Sequence, residues 1–165
     1  MYGTVNVGGK LNGVKAVALG SDHAGFDMKT EIAEFLQARG VEVKDFGTFS
    51  KDSCDYPDYA RLVAEAVSGG EFEHGILVCG SGVGVSIVAN KVRKVRAALV
   101  LDVETAMLCK QHNNANVLCL AGRTTGISEA MNIIETWLLT AFEGGRHAKR
   151  VSKIEKARSG EQGLF

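Results

Sequence analysis

The sequence predicts an α/β fold, a parallel sheet covered by helices on both faces. Three observations carry that expectation. Five short apolar runs alternate with stretches of helical spacing, the pattern of repeated strand–helix units. Glycine is abundant at 20 residues while Pro57 is the sole proline, which suits tight turns feeding regular elements. The chain has 165 residues, enough for one core closed without disulfides or metals.

The first run, Lys15–Gly20, reads as a strand buried on both faces. Ala24 to Arg39 follows with Met28, Ile32, Phe35 and Leu36 near helical spacing, and Gly40 is a fitting stop. Val41–Phe46 alternates like a strand nearer an edge. Residues 47–56 are polar and read as a loop, and Pro57 suits the first turn of a helix running to about Ser68. The unit then repeats: strand Gly75–Cys79, a glycine-rich turn Gly80–Gly84, and a short helix Val85–Lys91. Val95–Leu101 is a strand, Val103–Gln111 a helix, Val117–Ala121 a strand, and Ile127–Phe142 a long helix with Ile133, Ile134, Trp137 and Leu138 on its apolar side. Residues 1–13 are expected to be a flexible extension, 14–158 one domain, and 159–165 a tail. From Glu143 on, the chain is basic at first and then expected to fray.

Composition narrows the partners. Lys+Arg and Asp+Glu are equal at 19 each, which argues against a nucleic-acid binder. No apolar run approaches the ~20 residues of a membrane span. The first residues lack the basic start and apolar stretch of a signal peptide, so the expectation is a cytoplasmic protein. The four cysteines, Cys54, Cys79, Cys109 and Cys119, have no CxxC spacing, and the four histidines are scattered, so no zinc cluster is expected. Cys109 and Cys119 sit in apolar surroundings and read as small buried hydrophobes.

In a parallel sheet, ligands bind at the carboxyl ends of strands. That directs attention to Ser21-Asp22-His23, to Cys79–Gly84 and to the segment near Asp102. Gly80-Ser81-Gly82-Val83-Gly84 is GxGxG between a strand and a helix. It is either a plain tight turn or a set of N–H groups suited to anionic oxygen. Cys79 at its start is either an inert strand cysteine or a thiolate favoured by a helix N-terminus, able to act as base or nucleophile. Ser81 adds a hydroxyl. Asp22 suits a helix N-cap, and Asp22-His23 can equally contact sugar hydroxyls or phosphate. His112-Asn113 opens a polar cluster that is normally a turn. Arg123, and the cluster around Arg146 and Arg150, are either solvated charges or phosphate ligands.

These pieces, taken in order, resemble a known family. Gly20-Ser21-Asp22-His23-Ala24-Gly25, Asp55-Tyr56-Pro57-Asp58-Tyr59-Ala60, Cys79–Gly84, Ala89-Asn90-Lys91, His112–Leu118 and Gly145-Arg146-His147 resemble ribose-5-phosphate isomerases of type B, a family shared with galactose-6-phosphate and allose-6-phosphate isomerase subunits. The resemblance runs from about Val14 to Ile154. It implies a Rossmann-like three-layer sandwich with a five-stranded parallel sheet in the order 2-1-3-4-5. It also implies an aldose–ketose isomerase without metal or organic cofactor, a homodimer, in some members within a tetramer, whose active sites lie at the interface. By resemblance Cys79 is the base that removes the C2 proton, His112 opens the sugar ring while Asp22 engages a hydroxyl, and Ser81 assists proton movement. The backbone N–H groups of the turn, at Gly80, Gly82, Val83 and Gly84, stabilise the enediolate, Asn113 hydrogen-bonds the open chain, and Tyr56 contacts the substrate. His23, Arg123, Arg146 and Arg150 form the phosphate set.

Two positions depart from the common pattern. One branch of the family uses a Glu base where this chain has Val85, which places the chain with the Cys branch. Ser81 stands where Thr is commoner, keeping the hydroxyl and losing the methyl. The implied activity is interconversion of D-ribose 5-phosphate and D-ribulose 5-phosphate. The alternatives are the same chemistry on allose 6-phosphate or galactose 6-phosphate, or a non-catalytic sugar-phosphate-binding module.

Overall fold

A computed structural model describes residues 10–11 and 13–156. The expected tail, 159–165, and most of the expected N-terminal extension lie outside the described residues. Within that extension Leu11 is buried against the core.

The chain alternates strand and helix. The order is β1 (Ala16–Ser21), a 3-10 turn (His23–Gly25), α1 (Phe26–Ala38), β2 (Glu42–Asp45), α2 (Tyr56–Ser68), β3 (His74–Cys79) and α3 (Val83–Ala89). Then come β4 (Ala97–Leu99), α4 (Val103–Asn113), β5 (Val117–Ala121), α5 (Ile127–Leu139) and α6 (Gly145–Lys156). All four strand pairings are parallel.

Side-chain alternation in the strands divides the core in two. Val17, Leu19, Ile76, Val78, Leu118 and Leu120 face α1, α4 and α5, where Ile32, Leu36, Ala106, Ile133, Ile134 and Trp137 close the larger core. Ala18, Leu77, Cys79, Val117 and Cys119 face α2 and α3, meeting Ala60, Val63, Ala64, Val67, Val85 and Ala89. The expected three layers are therefore present, with the catalytic candidate Cys79 on the smaller face.

The sheet order is β2-β1-β3-β5-β4, a correction to the 2-1-3-4-5 implied by the resemblance. Burial explains it. All five residues of β5 are buried, whereas β4 has three half-buried residues and takes the edge. The exchange matters for the site, because β5 now pairs with β3 and sets Ala121 opposite Cys79.

Two further differences concern the C-terminal third. The last long helix stops at Leu139, because Thr140 turns extended at ψ 130°. The basic segment after it continues as a regular helix, α6, from Gly145 to Lys156. Arg96 anchors it through an ion pair to Glu155 at 2.7 Å.

Candidate active site

The glycine turn is built by β3 ending where α3 begins. Gly82 is the N-cap of α3 with φ +73°, a conformation that L side chains rarely adopt. A Cβ there would lie 2.4 Å from Leu99 Cδ1, so glycine is needed on both counts. The turn folds back on Cys79, and the Gly82 N–H donates to its Sγ at 3.2 Å. Cys79 is buried yet lines a cavity of about 470 Å³.

Neighbouring strands complete this cavity. From β1, Asp22 accepts a bond from Gly25 N at 3.0 Å, so it does cap the 3-10 turn, and it lines the cavity as well. The Cys54 N–H donates to His23 Nδ1 at 3.2 Å, which assigns the proton of a neutral His23 to Nε2. From β5, the Gly122 and Arg123 N–H groups donate to the carbonyls of Cys79 (2.8 Å) and Gly80 (3.1 Å). This lays the Arg123 guanidinium over Gly80, where a Cβ would sit 3.2 Å from it. Tyr56, at the start of α2, lies on Gly84, whose added Cβ would be 2.7 Å from the ring.

Asp22, His23, Tyr56, Cys79, Gly80, Ser81, Val83, Gly84 and Arg123, all candidates from the sequence, line one cavity, with Gly82 bonded to the thiol beneath them. Sequence reasoning missed Leu99, Leu101 and Thr124, which also line it. Leu99 and Leu101 lay inside an expected strand, with no signal for the direction they face. Asp102, near the third loop, is the N-cap of α4, and the Thr105 N–H bond at 2.7 Å holds its carboxyl below the usual carboxylate range.

His112, Asn113, Arg146 and Arg150 do not line this cavity. Helix α4 starts beside the carboxyl end of β4 and runs back antiparallel to the strands. Its 11 residues span about 16 Å, so His112 and Asn113 fall at the amino edge of the sheet. There His112 stacks on His147, with ring centroids 4.3 Å apart and planes 3° from parallel. Arg146 Nε donates to His147 Nε2 at 3.3 Å. His147 is held below the ordinary histidine value by burial first, then by His112, with Glu143 opposing.

Cys109 and Cys119 are buried and chemically quiet. Burial pushes the Cys109 thiol up to about 11. Cys119 is pushed up further, by burial and then by the neighbouring charge of Cys79. The motif Ala89-Asn90-Lys91 also has a structural use. Asn90 bonds both the N–H and the carbonyl of Ala97, tying α3 to β4.

A family model described as Ribose/Galactose Isomerase matches residues 17–154. The chain belongs to this family. It is 49% identical over 141 residues to ribose-5-phosphate isomerase B of Escherichia coli, covering 86% of this chain and 95% of that one. The structure of Clostridium thermocellum ribose-5-phosphate isomerase B superposes with a TM-score of 0.87 at 48% identity, covering 88% of this chain and 98% of that one. The Mycoplasma genitalium ribose-5-phosphate isomerase B, solved with bound ribulose-5-phosphate, gives 0.85 at 43% identity over 88% and 97% of the two chains.

Proposed function

We propose that this protein is an aldose–ketose isomerase interconverting D-ribose 5-phosphate and D-ribulose 5-phosphate through an enediolate. The observation that carries the reading is the Cys79 thiol in the cavity, held by the Gly82 N–H beneath a turn of further backbone donors. Family membership and the relatives' named activity support the same substrate pair.

The substrate is a furanose and must open first. His112 of the partner subunit protonates the ring oxygen while Asp22 engages the anomeric hydroxyl. Cys79 as thiolate then removes the C2 proton, a step for which a positioned base contributes about 10²–10⁴-fold. Negative charge develops on oxygen, and the N–H groups of residues 80–84 receive it. One such donor is worth about 3–4 kcal/mol in the transition state. Ser81 moves the proton between O1 and O2, and Tyr56 and Asn113 hold the open chain. His23 and Arg123 bind the phosphate from one subunit, Arg146 and Arg150 from the other. Binding energy at the phosphate positions C1 and C2 against the thiol.

This division makes the enzyme a homodimer with shared sites. Two facts support it: His112 lies at the far edge of the sheet from Cys79, and apolar Val83 and Leu101, which line the cavity, are exposed. Four free cysteines, one of them the base, suit a reducing cytosol, and among the described residues no helix is long and apolar enough to cross a membrane.

The test is isomerisation of ribose 5-phosphate, with allose 6-phosphate and galactose 6-phosphate in parallel. Turnover of the five-carbon sugar, lost in Cys79→Ala while binding persists, supports the reading. Selective turnover of a six-carbon sugar keeps the mechanism and changes the substrate. Binding without turnover by the unaltered protein overturns it.

A further inference from the structure

Three donor side chains outside the cavity converge where α4 ends and α6 begins. His112 is in the last turn of α4, Glu143 in the following loop and His147 in the first turn of α6. One ligand atom from each lies within 4.8 Å of the other two. Histidines scattered in the sequence are thus brought together in space.

The backbone fixes all three. The Glu143 N–H donates to the carbonyl of Gln111, beside His112, at 3.1 Å, and the His147 N–H donates to Gly144 O at 2.9 Å. The pairing of Glu143 and His147 is incomplete. Glu143 Oε2 stands 3.6 Å from His147 Nε2, too far for a hydrogen bond. That nitrogen accepts from Arg146 Nε at 3.3 Å, which places the proton of the neutral ring on Nδ1. A carboxylate and an imidazole nitrogen, both acceptors, therefore stand 3.6 Å apart, with the Arg146 guanidinium bonded to the imidazole alone. A cation with affinity for nitrogen and oxygen satisfies both at once.

We propose that His112, Glu143 and His147 bind one divalent transition-metal ion of the Zn²⁺ or Ni²⁺ kind, and that occupancy inhibits the isomerase. Two imidazoles and a carboxylate are the ligand types these ions take. Donors about 2.1 Å from a tetrahedral ion lie about 3.4 Å apart, so the cluster contracts on binding. Half-buried His112 and exposed Glu143 turn toward buried His147, and the ring stack opens, since stacked rings aim their lone pairs along parallel planes. Arg146 is displaced. The inhibitory part rests on the reading of His112 as the ring-opening acid: a nitrogen bound to metal carries no proton to deliver, and a displaced Arg146 is a misplaced phosphate ligand.

The experiment is calorimetric titration of the full-length protein with NiCl₂ and ZnCl₂, joined to Co²⁺ absorption spectra and to isomerase assays with and without chelator. The expected result is one ion per chain and a Co²⁺ spectrum without thiolate charge transfer. Inhibition is reversed by chelator. Glu143→Gln weakens both binding and inhibition by at least about tenfold, the low end of what even an outer-sphere partner contributes. Its metal-free turnover stays at the unaltered level. Undetectable binding, or binding indifferent to Glu143→Gln, overturns the site. So does a Co²⁺ thiolate band that vanishes in Cys79→Ala, which would place the ion in the cavity. Binding at the cluster without inhibition overturns the link to His112 while leaving the proposed substrate pair intact.

Discussion

The two ends of the sheet hold the two halves of the proposed chemistry, and they are built by different means. At the carboxyl end, backbone does the positioning. The Gly82 N–H holds the Cys79 sulfur, and the Gly122 and Arg123 N–H groups tie β5 to the glycine turn. At the amino end, side chains do it. His112 rests on His147, and two residues earlier Lys110 Nζ meets His74 Nε2 at 3.0 Å, with Trp137 edge-on to His74. A site made of backbone tolerates few residue types at each position. A site made of packed side chains depends on the protonation of its members. The carboxyl end should therefore fail through geometry and the amino end through pH.

The largest expected effect is at the thiol. Cys79→Ala should lower kcat by about 10²–10⁴-fold with substrate binding retained, read by steady-state kinetics beside calorimetry. A variant that lost binding and turnover together would make Cys79 a packing residue of the smaller core. Next is the turn itself. Gly82→Ala places a methyl 2.4 Å from Leu99 at a left-handed φ, and should cost about 1–3 kcal/mol in urea unfolding together with a clear loss of kcat. Unchanged kcat would show that the Gly82 N–H does not hold the base.

The amino end supplies the pH test. Burial first, then the Lys110 charge, lowers His74 from 6.5 to about 4. The unfolded chain therefore binds the proton first as pH falls. Stability is untouched by His74 above about pH 6.5, declines between 6.5 and 4, and levels off below; the total loss is about 3 kcal/mol. Urea unfolding followed by the single Trp137 should show that slope, and His74→Asn should flatten it. The smallest effect is on labelling. At pH 8, iodoacetamide should modify Cys79, with protection by substrate, and leave Cys109 and Cys119 unmodified in the native protein, read by peptide mass spectrometry. Burial keeps those two as thiols.

The same contrast explains what could be read from the sequence. Strands β1, β3 and β5 and the GxGxG turn are local patterns, and each stands where spacing placed it. The nine side chains and turn residues around Cys79 follow, because parallel strands bring their carboxyl ends together. The sheet order was not legible that way. It depends on whether β4 or β5 can satisfy full burial on both flanks, a global choice between two similar apolar runs. Helix α6 was missed because its sequence is mostly charged, and its anchors, Arg96 to Glu155 and the buried His147, are long-range. The stacking of His112 on His147 is likewise invisible to spacing.

In the proposed dimer, one active site draws Cys79 from one subunit and His112 from the other. The direct measurement mixes two inactive variants, Cys79→Ala and His112→Asn, under conditions that exchange subunits. Shared sites predict recovered activity of about a quarter of the unaltered enzyme, since random pairing makes half the dimers mixed and each mixed dimer keeps one whole site. No recovery, with exchange verified by mass, would place both residues of each site in a single chain and contradict the account.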